Sequence, residues 1–250
     1  MRALIGLWLF GVALATAAEP RTYTVGVEDL QYYPAYSVRD GEYAGIGREV
    51  LDRFAAQQGI VFRYEPLPVA RLTRYFIDEL VDFKFPDNAN WQQSLKAGKR
   101  IVYSQPVFPY VDGVMVLPAR RGQGIGQLKT LGTVRGFTAW DYLGLVDSGQ
   151  VSLREANSLQ NLVTMLQLGR VDGVYFNIAV ANHYLDEVKQ SGALVFDDTL
   201  PHTQDTYALS TIKYPALIDA FNAFLAAEQA WLAELQRRYN YRIGPLSGGD

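Results

Sequence analysis

Apolar positions recur along the chain with two periods, one near two residues and one near 3.6. Residues 23–27 (YTVGV) read as a short buried strand, and 45–59 (GIGREVLDRFAAQQG) place Ile46, Val50 and Phe54, with Leu51 beside them, on one helical face that Gly59 ends. Residues 60–64 alternate as a strand, 69–77 read as a short helix and 80–85 as a strand again. This β-α-β-α-β rhythm predicts an open α/β sheet with helices on its faces. Residues 101–103 and 113–117 add two strand candidates. The rhythm then repeats, with strands at 132–135 and 172–176 and helices at 138–146, 158–168 and 179–189. A strand at 206–211 and a helical stretch over 214–239, apolar at Leu217, Phe221, Phe224, Leu225, Trp231, Leu232 and Leu235, complete the pattern. Two similar α/β units therefore share the 250 residues, which leaves room for two lobes of roughly 100 residues each.

Composition narrows the function classes. At 49% hydrophobic and 20% charged the chain is an ordinary globular protein, and its net charge of −3 gives no electrostatic reason to bind nucleic acid or an anionic membrane. It has no cysteine, and its two histidines, His183 and His202, are too few and too far apart for a zinc site. No Walker lysine motif, GxSxG elbow or HExxH is present, and no cofactor is expected. The three alternating glycines of 118–126 (PARRGQGIG) follow a basic, proline-flanked stretch and open no long helix, so they predict an exposed loop rather than a phosphate cradle. Arg2, the apolar run 3–15 and the small residues 15–18 form the layout of a cleavable signal peptide over 1–18, too short to span a bilayer. Export to the periplasm as a soluble monomer is the expectation.

Short motifs then add a resemblance. Tyr33-Pro34-Ala35-Tyr36 follows the first strand, 41–52 (GEYAGIGREVLD) opens a helix after paired glycines, and Arg71-Leu72, Leu80-Val81-Asp82, 101–107 (IVYSQPV) and 168–174 (LGRVDGV) come in order. Together these segments resemble solute-binding protein family 3, the two-lobed periplasmic proteins that serve polar amino-acid importers. The resemblance covers nearly the whole mature chain. It implies a type II periplasmic binding fold, each lobe an open mixed sheet flanked by helices, with the ligand in the cleft between lobes. Lobe 1 would comprise 19–112 plus 208–250 and lobe 2 would comprise 118–205, with hinge crossovers near 112–117 and 205–209. The partners implied are a small-molecule ligand and an ABC-type importer permease or a membrane-bound sensor. The same fold also carries prephenate or arogenate dehydratase activity, an alternative that needs a general acid and a carboxylate clamp, for which Glu28 and Arg135 are the candidates.

Two departures bear on the ligand. Where the family places an arginine for the α-carboxylate, this chain has 85–94 (FPDNANWQQS), with no arginine before Arg100. Where the family places the aspartate that holds the α-ammonium, it has Asn177, an amide without countercharge. A standard free amino acid in the usual zwitterionic pose is therefore not expected, and a small polar or aromatic-bearing solute is. The candidate ligand-binding residues are Glu28, Tyr33, Arg71, Asp87, Trp91, Arg135, Thr138 and Asn177. Glu28 reads as a cation acceptor or a solvated carboxylate, Arg71 as a clamp or a surface residue, and Trp91 as a cleft ring or lobe packing. Tyr33, rather than Tyr36, is expected in the cleft as a stacking platform. Arg135 and Thr138, between a strand and a helix whose N-cap Thr138 would be, form the expected anion site.

Overall fold

The computed structural model describes residues 19–244; the signal-peptide segment lies outside the described residues. In chain order the strands and helices are β1 (Thr22–Glu28), β2 (Gln31–Tyr32), β3 (Tyr36–Arg39), β4 (Glu42–Ala44), α1 (Ile46–Gln58), β5 (Val61–Leu67), α2 (Val69–Ile77), β6 (Phe83–Asp87), α3 (Gln93–Lys96), β7 (Val102–Tyr103) and β8 (Phe108–Val116). They continue with β9 (Thr130–Val134), α4 (Leu143–Asp147), β10 (Ser152–Ala156), α5 (Leu159–Gln167), β11 (Gly173–Asn177), α6 (Ile178–Glu187), β12 (Val195–Phe196), β13 (Thr203–Thr211), α7 (Pro215–Ala227) and α8 (Gln229–Arg238). No helix among the described residues is long and apolar enough to cross a membrane.

One curled mixed sheet runs in the order β10-β9-β11-β8-β13-β6-β1-β5, with β12 on β8 and β7 on β13, and β2-β3-β4 form a separate small sheet. The parallel ladder β5-β1-β6 and the pair β9-β11 are the two β-α-β units read from the sequence, and β10 adds an edge strand to the second that the sequence reading lacked. The antiparallel pair β8 and β13 joins them. Residues 108–112 of β8 pair with 203–207 of β13, after which β8 turns to β11 and β12 while β13 turns to β6 and β7. Each of these two strands thus belongs to both halves of the molecule, and the two-lobed fold follows from that shared use.

Local sequence explains the elements that position the site. Helix α1 buries Ile46, Val50, Leu51, Phe54 and Ala55 and ends on Gly59 in the left-handed conformation, φ 64°. It starts at Gly45, φ 102°, where an added Cβ would lie 2.9 Å from the Pro34 carbonyl oxygen and from Tyr36 Cα. That close approach lets the amides of Ile46 and Gly47 donate to the carbonyls of Pro34 and Ala35 at 3.0 and 2.9 Å, pinning the loop that carries Tyr32 and Tyr36. Helix α5 is capped by Ser158, which accepts from the Asn161 amide at 3.3 Å, and α6 by Asn177, which accepts from the Val180 amide at 3.1 Å. The glycine-bearing segment 118–126 is a surface loop with two 3₁₀ turns, tied down by Arg120 on Asp172 and Arg121 on Asp198.

At the C-terminal end of β6 stands a fully buried ionic cluster. Oδ1 of Asp87 accepts from Lys84 Nζ at 2.7 Å, Lys96 Nζ at 2.8 Å and the Asn88 amide at 2.8 Å, and Oδ2 accepts from Ser210 Oγ at 2.7 Å. Burial by itself would raise the carboxyl's pKa, but the two ammoniums outweigh it and hold Asp87 below the ordinary carboxylate range. Because the folded value is depressed, the ionic stabilisation is complete above the unfolded pKa and is lost as pH falls through the folded value. Asp87→Ala, which strands two buried ammoniums, is expected to destabilise the protein by about 3–5 kcal/mol in urea titrations at neutral pH. A loss of well under 1 kcal/mol would mean that the cluster contributes nothing.

Candidate functional site

Strand ends and loops from both halves of the sheet converge on a cavity of about 100 Å³. From the first half come Glu28 at the end of β1, Tyr32 and Tyr36 beside it, Val69 and Thr73 on α2, Lys84 on β6, and Trp91 and Gln92 after it. From the second half come Asp112 on β8, the 136–138 segment and Trp140 after β9, and Tyr175, Phe176 and Asn177 on β11; Tyr207 comes from β13. The cavity is closed by aromatic contact across the halves. Tyr32, 4% exposed, stands 5.1 Å from the Phe176 ring and 5.6 Å from the Phe137 ring, centroid to centroid, and stacks on Tyr36 at 5.0 Å. On the far wall Tyr207 stacks on Tyr110 at 4.6 Å, and Trp91 Nε1 donates to Tyr110 Oη at 3.2 Å.

The charged groups set among these rings are the carboxyls of Glu28 and Asp112 and the ammonium of Lys84. Glu28, 6% exposed, accepts from Tyr36 Oη at 2.5 Å. Burial pushes its pKa up, opposed by the Lys84 charge and the Tyr36 hydrogen bond. Asp112 Oδ1 accepts from Asn177 Nδ2 at 3.1 Å. Burial, with further contributions from Asp141 and Glu28 and against the Asn177 bond, pushes Asp112 up to about 7. Lys84 Nζ lies 5.6 Å from the Trp91 ring centroid and spends its hydrogen bonds on Asp87 and, at 3.3 Å, on the Pro86 carbonyl. The Gln92 backbone is left-handed, φ 48°, and its buried Oε1 has no hydrogen-bond partner among the described residues. The arrangement can hold a small molecule between the two halves, and its unmatched charged oxygens are those of Glu28 and Asp112.

Of the eight residues singled out by sequence, Glu28, Trp91, Thr138 and Asn177 line the cavity. Asp87 lies behind the wall and acts on it through Lys84. The other three stand outside it. Tyr33, 39% exposed, packs against His183 and Tyr239 at 4.7 and 5.6 Å, because alternation along the segment turns Tyr32 inward instead. Arg71 is exposed because the cavity face of α2 is the i, i+4 pair Val69 and Thr73, and residue 71 falls on the opposite side. The Arg135 side chain is 71% exposed and 3.8 Å from Glu155, and the turn at Gly136, φ 89°, sends Phe137 inward in its place. Nor does Thr138 cap a helix: a 3₁₀ turn at Trp140–Tyr142 follows Ala139 with no side-chain cap, and α4 is only five residues long. The expected anion site at Arg135 and Thr138 is therefore not assembled. Asn177 faces the cavity with its amide already committed to the α6 cap and to Asp112.

Sequence reasoning missed Lys84, Asp112, Tyr32, Phe137 and Phe176. Lys84 had a signal, a cation between Phe83 and Phe85 in a strand buried throughout. Asp112 had none in the linear chain, since it meets Asn177 only through the antiparallel β8-β11 register.

No protein-family model matches the sequence, and no curated protein matches it. Solved structures do match in fold. The ligand-binding core of GluR0 in complex with L-glutamate has a TM-score of 0.72 at 18% identity, covering 91% of this chain and 100% of that one. A substrate-binding protein of an ABC uptake transporter from Streptococcus pneumoniae with bound histidine has a TM-score of 0.69 at 15% identity, covering 90% and 95%. AncCDT-1, an ancestral amino acid-binding protein and precursor of cyclohexadienyl dehydratase, has a TM-score of 0.68 at 15% identity, covering 88% and 95%. These structural neighbours are of the solute-binding protein family 3 type, and the chain shares their two-lobed α/β fold.

Proposed function

We propose that the protein is an exported, monomeric solute-binding protein of the periplasm that captures a small polar or aromatic-bearing molecule and presents it to an ABC-type importer or a membrane-bound sensor. The observation that carries this reading is the cavity walled by both halves of the sheet, with the Tyr32 ring bridging them. The lobes would be 19–112 plus 208–250 and 118–205, hinging where β8 and β13 change partners. The neighbours support it with an uptake-transporter binding protein and a receptor ligand-binding core. Standard free amino acids fit poorly, since no arginine lines the cavity among the described residues and Asn177 is spent on Asp112. The dehydratase alternative finds a buried acid in Glu28 and a fold relative in the dehydratase precursor, but its clamp candidate Arg135 faces solvent. Prephenate is expected to survive incubation with the protein unchanged.

The direct test compares protein purified without denaturation with the same protein unfolded and refolded to strip retained small molecules. The native preparation is expected to have the smaller radius of gyration by X-ray scattering and the higher melting temperature, since a ligand bound only to the folded state stabilises it. Identical radii and melting temperatures, with no small molecule released, would contradict binding. Tyr32→Ala removes the bridging ring and is expected to shift the stripped protein toward the larger radius.

Asp112 provides a pH signature for the stripped protein. Its folded pKa of about 7 lies above the ordinary aspartate value, so its contribution favours the fold below the unfolded pKa and fades as pH rises through 7. Asp112→Asn keeps the acceptor for Asn177 and removes the titration. Its melting temperature relative to wild type is expected to climb between pH 4 and pH 7 and then level off. A difference independent of pH would show that Asp112 titrates normally.

A further inference from the structure

Whether a cavity favours cations or anions is decided by the charges and hydrogen-bonding atoms its walls leave unmatched. Here the charged oxygens left unmatched belong to carboxyls. The carboxyl of Glu28 meets the Tyr36 hydroxyl through Oε2, and that of Asp112 meets Asn177 through Oδ1; among the described residues no donor meets the second oxygen of either. A ligand cation that donates to these oxygens forms charge-assisted hydrogen bonds there. The one cationic donor on the wall is largely committed, and so is the Asn177 amide. Lys84 is committed to Asp87 and to the Pro86 carbonyl, and Asn177 Nδ2 to Asp112 and, at 3.4 Å, to Tyr207.

Charge points the same way. When ionised, Glu28, Asp112 and Asp87 outnumber Lys84 and Lys96, so one added positive charge balances the buried set and an added negative charge unbalances it further. The rings of Tyr32, Tyr36, Trp91, Phe137, Phe176 and Tyr207 supply the negative π faces that attract a desolvated ammonium. A void of about 100 Å³ admits a small molecule rather than a polymer chain.

We propose that this cavity takes a small organic cation, an amine or quaternary ammonium without a carboxylate, whose positive group is held by Glu28 and Asp112 inside the aromatic walls. The proposal rests on the solute-binding reading above and narrows it to one charge class. Glu28 and Asp112 supply the countercharge and the rings the shape. A zwitterion would bring its carboxylate among these acceptors with no arginine to receive it.

Calorimetric titration of the stripped and refolded protein at pH 8 tests the class, with tyramine, histamine and choline set against 4-hydroxyphenylacetate, L-tyrosine, L-glutamate and L-arginine. At least one of the three cations is expected to bind at least a hundredfold tighter than every carboxylate-bearing probe. Glu28→Gln and Asp112→Asn are each expected to weaken it at least tenfold; both keep the size of the side chain and guard against a variant that fails to fold. A carboxylate-bearing probe that binds tighter than all three cations overturns the proposal, as does the absence of binding by any cation. Native mass spectrometry of the unstripped protein separates the two failures. A retained acid or zwitterion overturns the charge class and leaves the binding function standing, whereas no retained molecule, together with no change in radius on stripping, overturns both.

Discussion

Asp87 organises the site from behind its wall. Its carboxylate ends β6, the strand between β1 and β13, and it collects two ammoniums, a backbone amide and the Ser210 hydroxyl in a region closed to water. Burying such a cluster is costly for each ion and tolerable only when every lone pair and proton has a partner. Asp87 meets that condition, and the geometry follows. Lys96 also reaches the Asn88 carbonyl at 2.7 Å, and Asn88 Nδ2 reaches the Thr206 carbonyl at 3.1 Å, so the segment 87–92 is fastened to β13. That attachment helps place Trp91, whose ring also packs on Tyr110 and Tyr207 and donates to Tyr110 Oη.

The same interaction sets the electrostatics of the cavity. Lys84 would otherwise be a free cation facing the cleft and a ready partner for a carboxylate ligand. With its hydrogen bonds directed at Asp87 and Pro86, it offsets the burial of Glu28 and leaves the two wall carboxyls dominant. The carboxylate absent from position 177 is present one strand over, because Asn177 and Asp112 face each other across the β8-β11 ladder and share a hydrogen bond. The chain thus keeps an acid at this corner of the cavity while using residue 177 to cap α6.

Much of the fold was legible because the elements that build it obey simple periods. The helix at 69–77 was read at its observed bounds, and α1 was bracketed by its glycines, since amphipathic faces and end signals are local properties. Edge strand β10, with its polar sequence SLREA, and the two- to four-residue strands β2 to β4 carry too little alternation to register. Strand β8 begins at Phe108 rather than 113, because Pro109, which donates no ladder hydrogen bond, weakens the strand signal of 108–112. The site was half legible for a different reason. Position after a strand identifies the loop that borders a cleft, but which neighbour turns inward, Tyr32 or Tyr33 and Phe137 or Arg135, depends on one backbone turn. The helix over 138–146 shrank to a 3₁₀ turn and a short α4, and the anion site inferred from its N-terminus went with it.

The claim on which the account turns is that Asp87 and Lys84 act as one unit. A double-mutant cycle between Lys84→Met and Asp87→Asn, followed by urea unfolding of all four proteins, measures it directly. Coupling well above about 0.5 kcal/mol, with the double variant more stable than the sum of the single losses implies, is the predicted result. Losses that add to within about 0.5 kcal/mol would show the two residues to be independent and would contradict the account.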